Sequence, residues 1–289
     1  MKTPTHYFNS EEAAKILGVN VSTIKRWTDL GELKCIKTKG GHRKFFIEHL
    51  AEFLKENKRQ TSRVNLFPVE NERDLEISYQ ILKADFDYLI EFVLQEAIAC
   101  YRDRVLQVLN GLYLGDHALD VIYDKLLTPV FHKIGDLWEQ QQLTIIEEHL
   151  ASQTIRDCII RLQGIIRLPT EKVGTVLCLN PATELHDSAL KMVDHLLELR
   201  GFHVLYSGQI TPVLRVEKLF ERVKPARVYI SSTYVTDVKA AQEEFDRLCE
   251  LCTLHHTKLF IGGGGFDLLK VNYPQIVMRL YNFKDVFAV

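Results

Sequence analysis

Residues 172–206 read KVGTVLCLNPATELHDSALKMVDHLLELRGFHVLY, and this stretch decides the fold of the C-terminal half. Val173 to Leu179 is a short apolar run, the pattern of a strand covered on both faces. A polar loop follows, and apolar residues then recur at helical spacing from Asp187 to Arg200, where Gly201 ends the helix. Phe202 to Tyr206 is apolar again. The alternation continues with a helix over Val213 to Lys224, a strand over Arg227 to Ser231 and a helix over Asp237 to Leu254. A fourth strand spans Lys258 to Gly262, and a fifth lies at Gln275 to Leu280. Strands alternating with helices predict a parallel, doubly wound, Rossmann-like domain over 170–289. Such sheets bind ligands at the carboxyl ends of their strands, so loops 180–187, 207–212, 231–237 and 262–267 carry the interest.

Upstream the period is helical. Leu89, Phe92, Val93 and Ala97 recur on one face, as do Val105, Val108, Leu109 and Leu112. Gly115-Asp116 marks a break, and Pro129 kinks or divides the third helix. Short connections predict a four-helix bundle over 86–169. Residues 59–85, mixed and polar with Pro68, read as a linker.

The first 58 residues form a separate pattern. Asn9 caps a helix whose first turn holds Glu11 and Glu12, with Ala13, Ala14, Ile16 and Leu17 at helical spacing. Gly18-Val19-Asn20 turns the chain, and Asn20 can cap a second helix through Trp27. In that helix Val21, Ile24 and Trp27 face inward, leaving Ser22, Thr23, Lys25 and Arg26 as donors to phosphates or base edges. Leu33 to Thr38 and Arg43 to Ile47 flank Lys39-Gly40-Gly41-His42, a hairpin whose basic tip includes His42, Arg43 and Lys44. An amphipathic helix from Ile47 to Lys58 closes a winged helix-turn-helix.

Charge agrees with this division. The chain of 289 residues has a net charge of −2, yet its first 60 residues carry twelve Lys and Arg against seven Asp and Glu. A basic head on an acidic body suits a polyanionic partner for the head, double-stranded DNA. No apolar run is long enough to span a bilayer, the N-terminus lacks an apolar signal core, and the six cysteines follow no framework spacing. The expected location is the cytoplasm, without a membrane partner.

Three of the loops at the strand ends hold the chemically distinctive residues. They are Glu184-Leu185-His186-Asp187-Ser188-Ala189, Ser231-Ser232-Thr233 and Gly262-Gly263-Gly264-Gly265. Forty-one residues separate Ala189 from Ser231, and 28 separate Thr233 from Gly262. His186 can offer an imidazole nitrogen, and Glu184 can fix its tautomer. The glycines permit close approach of a large ligand to the backbone. A rival cluster, Cys249, Cys252, His255 and His256, has zinc-ligand residue types, but one helix end does not readily converge four side chains on a tetrahedral ion. Core-facing cysteines beside polar histidines are expected there.

Three resemblances attach to these residues. The head resembles the MerR family, and more loosely the excisionase-type winged helices, through Ala13-Ala14-Lys15-Ile16-Leu17-Gly18-Val19, Thr23-Ile24-Lys25-Arg26-Trp27, Gly31-Glu32-Leu33 and Gly40-Gly41-His42-Arg43-Lys44-Phe45. The three loops resemble the Asp-x-His-x-x-Gly, Ser-x-Leu and Gly-Gly pattern of the cobalamin-binding fold of methionine synthase and corrinoid proteins. That likeness implies His186 as lower cobalt ligand, with Glu184, Ser231, Thr233, Gly262 and Gly263 beside it. Ala189 replaces a glycine of that pattern and Thr233 a leucine. Trp138, nine residues, then Glu148-His149 resembles the signature of CarH/LitR-type light-sensing regulators. This likeness implies adenosylcobalamin as cofactor, with Trp138, Glu148 and His149 near its upper ligand, and a homo-oligomer, dimer or tetramer, that releases DNA in light. In that branch a histidine follows the tryptophan; here Glu139 does, and His132 lies two turns upstream. The reading is a non-enzymatic transcription regulator, a repressor by resemblance. Two others remain open: a MerR-type regulator that keeps the fold without cobalamin, and a corrinoid carrier of a methyltransferase, against which the N-terminal head argues.

Overall fold

The computed structural model describes residues 7–56, 72–211 and 216–288. They divide into two compact units, 1–158 and 159–289.

The first unit opens with β1 (Tyr7–Phe8), α1 (Ser10–Leu17), α2 (Val21–Asp29), β2 (Ile36–Lys37), β3 (Arg43–Phe46) and α3 (Ile47–Glu56). Asn9 forms a full capping box: its side chain accepts from the Glu11 and Glu12 amides, and Glu12 returns a bond to the Asn9 amide. Asn20 occupies the N-cap of α2, but its side chain makes no capping bond, contrary to expectation. The hairpin strands are shorter than the sequence suggested, and β3 also pairs antiparallel with β1. A two-residue strand carries no periodicity, so β1 was not legible. Phe8, Ile16, Leu17, Ile24, Trp27, Leu33, Phe45, Leu50 and Phe53 form the core of this head, where Trp27 packs on Phe53 at 4.8 Å between ring centroids.

Residues 57–71 lie outside the described residues, so the linker expected over 59–85 is tested only in its second part, where it fails. Residues Glu72–Lys83 are helix α4. Leu75 is buried in the head core, Tyr79 and Leu82 pack against it, and Lys83 Nζ reaches Glu12 Oε1 at 2.6 Å. Asp74, only 2% exposed, pairs with Arg104 at 2.9 Å. Two burial surfaces on one helix break simple amphipathic periodicity, which is why the segment reads as a polar connection.

Helices α5 (Phe86–Ile98), α6 (Arg102–Leu114), α7 (Leu119–Ile122), α8 (Thr128–Glu139) and α9 (Ile145–Leu162) follow. Tyr123–Leu127 forms a π-turn between α7 and α8. Pro129, which cannot donate to the helical ladder, sits in the first turn of α8 directly after it, so the wide turn absorbs the break the proline imposes.

The second unit holds β4 (Gly174–Leu179), α10 (Ser188–Leu199), β5 (Phe202–Tyr206), α11 (Glu217–Val223), β6 (Arg227–Ser231), α12 (Val238–Leu254), β7 (Lys258–Gly262), β8 (Val277–Arg279) and α13 (Asp285–Ala288). The sheet is wholly parallel in the order β5-β4-β6-β7-β8. Leu177, Leu179, Val228, Ile230, Leu259 and Ile261 pack with Phe220 of α11 and Phe245 and Leu248 of α12. The alternate residues Val176, Cys178, Tyr229 and Phe260 are buried as well, as a sheet covered on both faces requires. The helix expected from Val213 begins outside the described residues and is observed from Glu217. Among the described residues no helix is long and apolar enough to cross a membrane.

Candidate cofactor and nucleic-acid sites

The reversal of strand order places β4 and β6 at the centre of the sheet, and their carboxyl ends carry the candidate cofactor residues. Glu184 is 1% exposed. Its Oε1 accepts from both the amide and Nδ1 of His186 at 2.7 Å, and its Oε2 accepts from the amides of Thr233 and Tyr234. Burial acts to raise the Glu184 pKa, but the bonds from the His186 ring and amide and the Thr233 amide prevail and hold it below the usual value. The carboxylate therefore joins the loop after β4 to the loop after β6. A proton on His186 Nδ1 shared with it selects the tautomer whose lone pair is on Nε2, and the side chain is 60% exposed.

A second layer that the sequence reading missed holds the histidine loop. Asp187, at the N-cap of α10, accepts from Tyr206 Oη at 2.7 Å and Gln209 Nε2 at 3.3 Å, and the same Gln209 nitrogen donates to the Leu185 carbonyl at 2.6 Å. The Ile210 amide donates to the Glu184 carbonyl. The only signal available was the position of 207–212 at a strand end.

Ser231 and Ser232 are buried, and Ser231 pairs in register with Gly262. Thr233 contributes its main-chain amide to Glu184, so a threonine where the cobalamin pattern has leucine leaves this bond intact. The glycines divide into two kinds. A Cβ on Gly263, at φ +90°, would lie 2.2 Å from the Ser232 carbonyl oxygen, and one on Gly265 would lie 2.5 Å from Ser232 Oγ. Those two glycines serve the packing of the chain's own loops, whereas a Cβ on Gly262 would meet only the Leu280 carbonyl at 3.9 Å.

In the first unit, Trp138 lies in the last turn of α8 at 45% exposure, and Glu148 and His149 lie on α9 after the turn at 140–144. His149 Nδ1 pairs with Glu148 Oε2, and Ser152 Oγ donates to Glu148 Oε1 at 2.8 Å. Ile145, Ile146 and Leu150 of the same helix are exposed. His132 and Glu139 are exposed on α8.

On the head, Ser22, Lys25 and Arg26 of α2 and His42 of the hairpin are exposed, and Thr23 is half-buried. Lys44 Nζ lies 3.8 Å from the centroid of the Tyr7 ring. Arg43 differs: its side chain is 16% exposed and bonds Asp29 at 2.7 Å. Cys249 and Cys252 are core residues whose thiols burial pushes up to about 12, and no metal-holding cluster occurs among the described residues.

Comparison with known proteins matches residues 7–58 to the helix-turn-helix domain family and residues 80–163 to the B12 binding domain family. The chain is 26% identical over 249 residues to the HTH-type transcriptional repressor CarH of Myxococcus xanthus, covering 82% of each chain. It is 20% identical over 182 residues to dimethylamine corrinoid protein 2 of Methanosarcina acetivorans, covering 62% of this chain and 84% of that one. The monomethylamine corrinoid protein of Methanosarcina barkeri shares the fold, with a TM-score of 0.56 at 14% identity over 69% of this chain and 95% of that chain. The chain thus matches a helix-turn-helix domain family near its N-terminus and a B12 binding domain family after it, and over most of its length it is similar to the repressor CarH.

Proposed function

We propose that this chain is a DNA-binding transcription regulator, a repressor, whose B12 binding domain takes adenosylcobalamin and through it sets homo-oligomeric state and operator affinity. The observation that carries the reading is the Glu184–His186 pair: a buried, ionised carboxylate fixes the histidine tautomer at the carboxyl end of a central strand. That donor set fits a lower-face imidazole ligand. When bound, adenosylcobalamin supplies a cobalt centre and a light-labile cobalt–carbon bond. His186 would present Nε2, Glu184 would hold the proton on Nδ1, and Ser231, Thr233, Gly262 and Gly263 would border the displaced nucleotide tail. By resemblance, Trp138, Glu148 and His149 would meet the upper ligand. Ser22, Thr23, Lys25, Arg26, His42 and Lys44 would face the duplex.

Two heads held in one oligomer would reach two half-sites together, so assembly alone would raise operator affinity. The experiment is molar mass and promoter-duplex affinity with and without adenosylcobalamin, in darkness and after illumination. A larger assembly and tighter binding with cofactor in darkness are expected. Identical mass and affinity in all four states would favour a regulator that no longer uses the cofactor. Glu139, where light-sensing relatives carry histidine, leads us to expect incomplete disassembly in light and a more complete one in Glu139→His.

A further inference from the structure

Asp29 is the last residue of α2. A carboxylate there meets the negative end of the helix dipole, an arrangement that is locally unfavourable. Residues that break a local rule mark places where another demand prevails. Here the demand comes from the hairpin. Asp29 Oδ1 accepts from Arg43 Nη2 at 2.7 Å and from Lys37 Nζ at 3.3 Å. Lys37 and Arg43 stand directly opposite one another on β2 and β3, where like charges repel. One carboxylate therefore neutralises a cross-strand repulsion and ties the hairpin to the end of the helix expected to read DNA. The hydrogen bond from Arg43, then that from Lys37, holds the Asp29 carboxyl below its ordinary value. Arg43 is drawn in with it: its side chain is 16% exposed, and its Nε is buried with no hydrogen-bond partner. By contrast Lys25, Arg26, Lys39 and His42 are exposed.

We infer that Asp29 is the positioning residue of the wing, and that Arg43 is a strut between hairpin and recognition helix while the exposed cations take the phosphates. The inference rests on the DNA-binding reading above. It is tested on the full chain by titrating a labelled random-sequence duplex at several salt concentrations with wild type, Asp29→Asn, Arg43→Ala and the exchange Asp29→Arg with Arg43→Asp. A strut predicts that Asp29→Asn weakens binding although it removes a negative charge. It predicts that Arg43→Ala weakens binding without changing the salt slope. The exchange, which also pairs position 43 with Lys37 across the strands, should return affinity to within about threefold of wild type. A salt slope reduced by about 0.9 in Arg43→Ala, together with tighter binding by Asp29→Asn, would make Arg43 a phosphate contact and overturn the inference. If wild type shows no salt-dependent duplex binding, the DNA reading itself fails, and thermal unfolding then decides the strut. A double variant Asp29→Asn/Arg43→Ala no less stable than the weaker single variant supports it, and additive losses refute it.

Discussion

Two Glu–His ion pairs among the described residues, Glu184 with His186 and Glu148 with His149, are held in opposite ways. Glu184 is 1% exposed and accepts from the amides of His186, Thr233 and Tyr234 as well as from the His186 ring. Glu148 lies on a helix surface, its side chain 18% exposed, with a neighbouring histidine ring and one serine hydroxyl as partners. Main-chain amides of two loops cannot leave Glu184 without unmaking the loops, so the carboxylate that His186 Nδ1 meets is fixed in place. Glu148 is held by side chains of its own helix alone, with no main-chain donor to its carboxylate among the described residues.

The largest expected effect strikes the second loop that Glu184 grips. Gly263→Ala forces a Cβ onto the Ser232 carbonyl at a positive φ, so urea unfolding should show a loss of about 3 kcal/mol or more. Gly262→Ala, with space around its Cβ, should be close to wild type. Equal losses at the two positions would mean that loop contact is not what these glycines serve.

Glu184→Ala leaves buried amides without an acceptor, and unfolding free energy should fall by about 2–4 kcal/mol. Glu184→Gln should lose less, since its amide oxygen can still accept.

Acid separates the same carboxylate from another buried group. Burial and the nearby Lys191 charge lower His195 to about 3, so the folded chain holds fewer protons than the unfolded chain below pH 6.5. Stability should therefore decline by up to about 1.4 kcal/mol per pH unit from pH 6.5 towards 3, and His195→Leu should flatten that slope. Glu184 acts lower. Its folded pKa is depressed, so its contribution is complete above about pH 4.3 and is lost as pH falls from there through the folded value. Stability of Glu184→Gln measured against pH should lack only this second decline.

The smallest effect belongs to Glu148 and His149. Glu148→Ala, which removes only side-chain partners, should lower unfolding free energy by about 1 kcal/mol. A loss as large as that of Glu184→Ala would erase the contrast between the two pairs.

The strands of the second unit were legible as short apolar runs buried on both faces and its helices by their helical period, and the loops at the carboxyl ends of strands followed from topology. His186 and Glu184 were legible by type and spacing. The grip of Glu184 on the Thr233 and Tyr234 amides was not, since main-chain donors have no residue signature. Asp187 was read only as part of a loop motif, although it receives Tyr206 and Gln209 from the neighbouring strand and loop. In the head, Arg43 read as one more basic residue at a wing tip, because nothing in the spacing of Asp29 announces that the two will meet. Helix α4 escaped because Asp74 and Gln80 are buried polar residues among its apolar ones.

The proposed function turns on His186 as a ligand to cobalamin. Its most direct test is the visible absorption spectrum of wild type and His186→Ala after incubation with adenosylcobalamin in darkness and removal of unbound cofactor. Wild type should keep the cofactor with the spectrum of an imidazole-ligated cobalt, and His186→Ala should lose it or keep it with a different spectrum. Retention of the same spectrum by both proteins, or no retention by wild type, would contradict the claim.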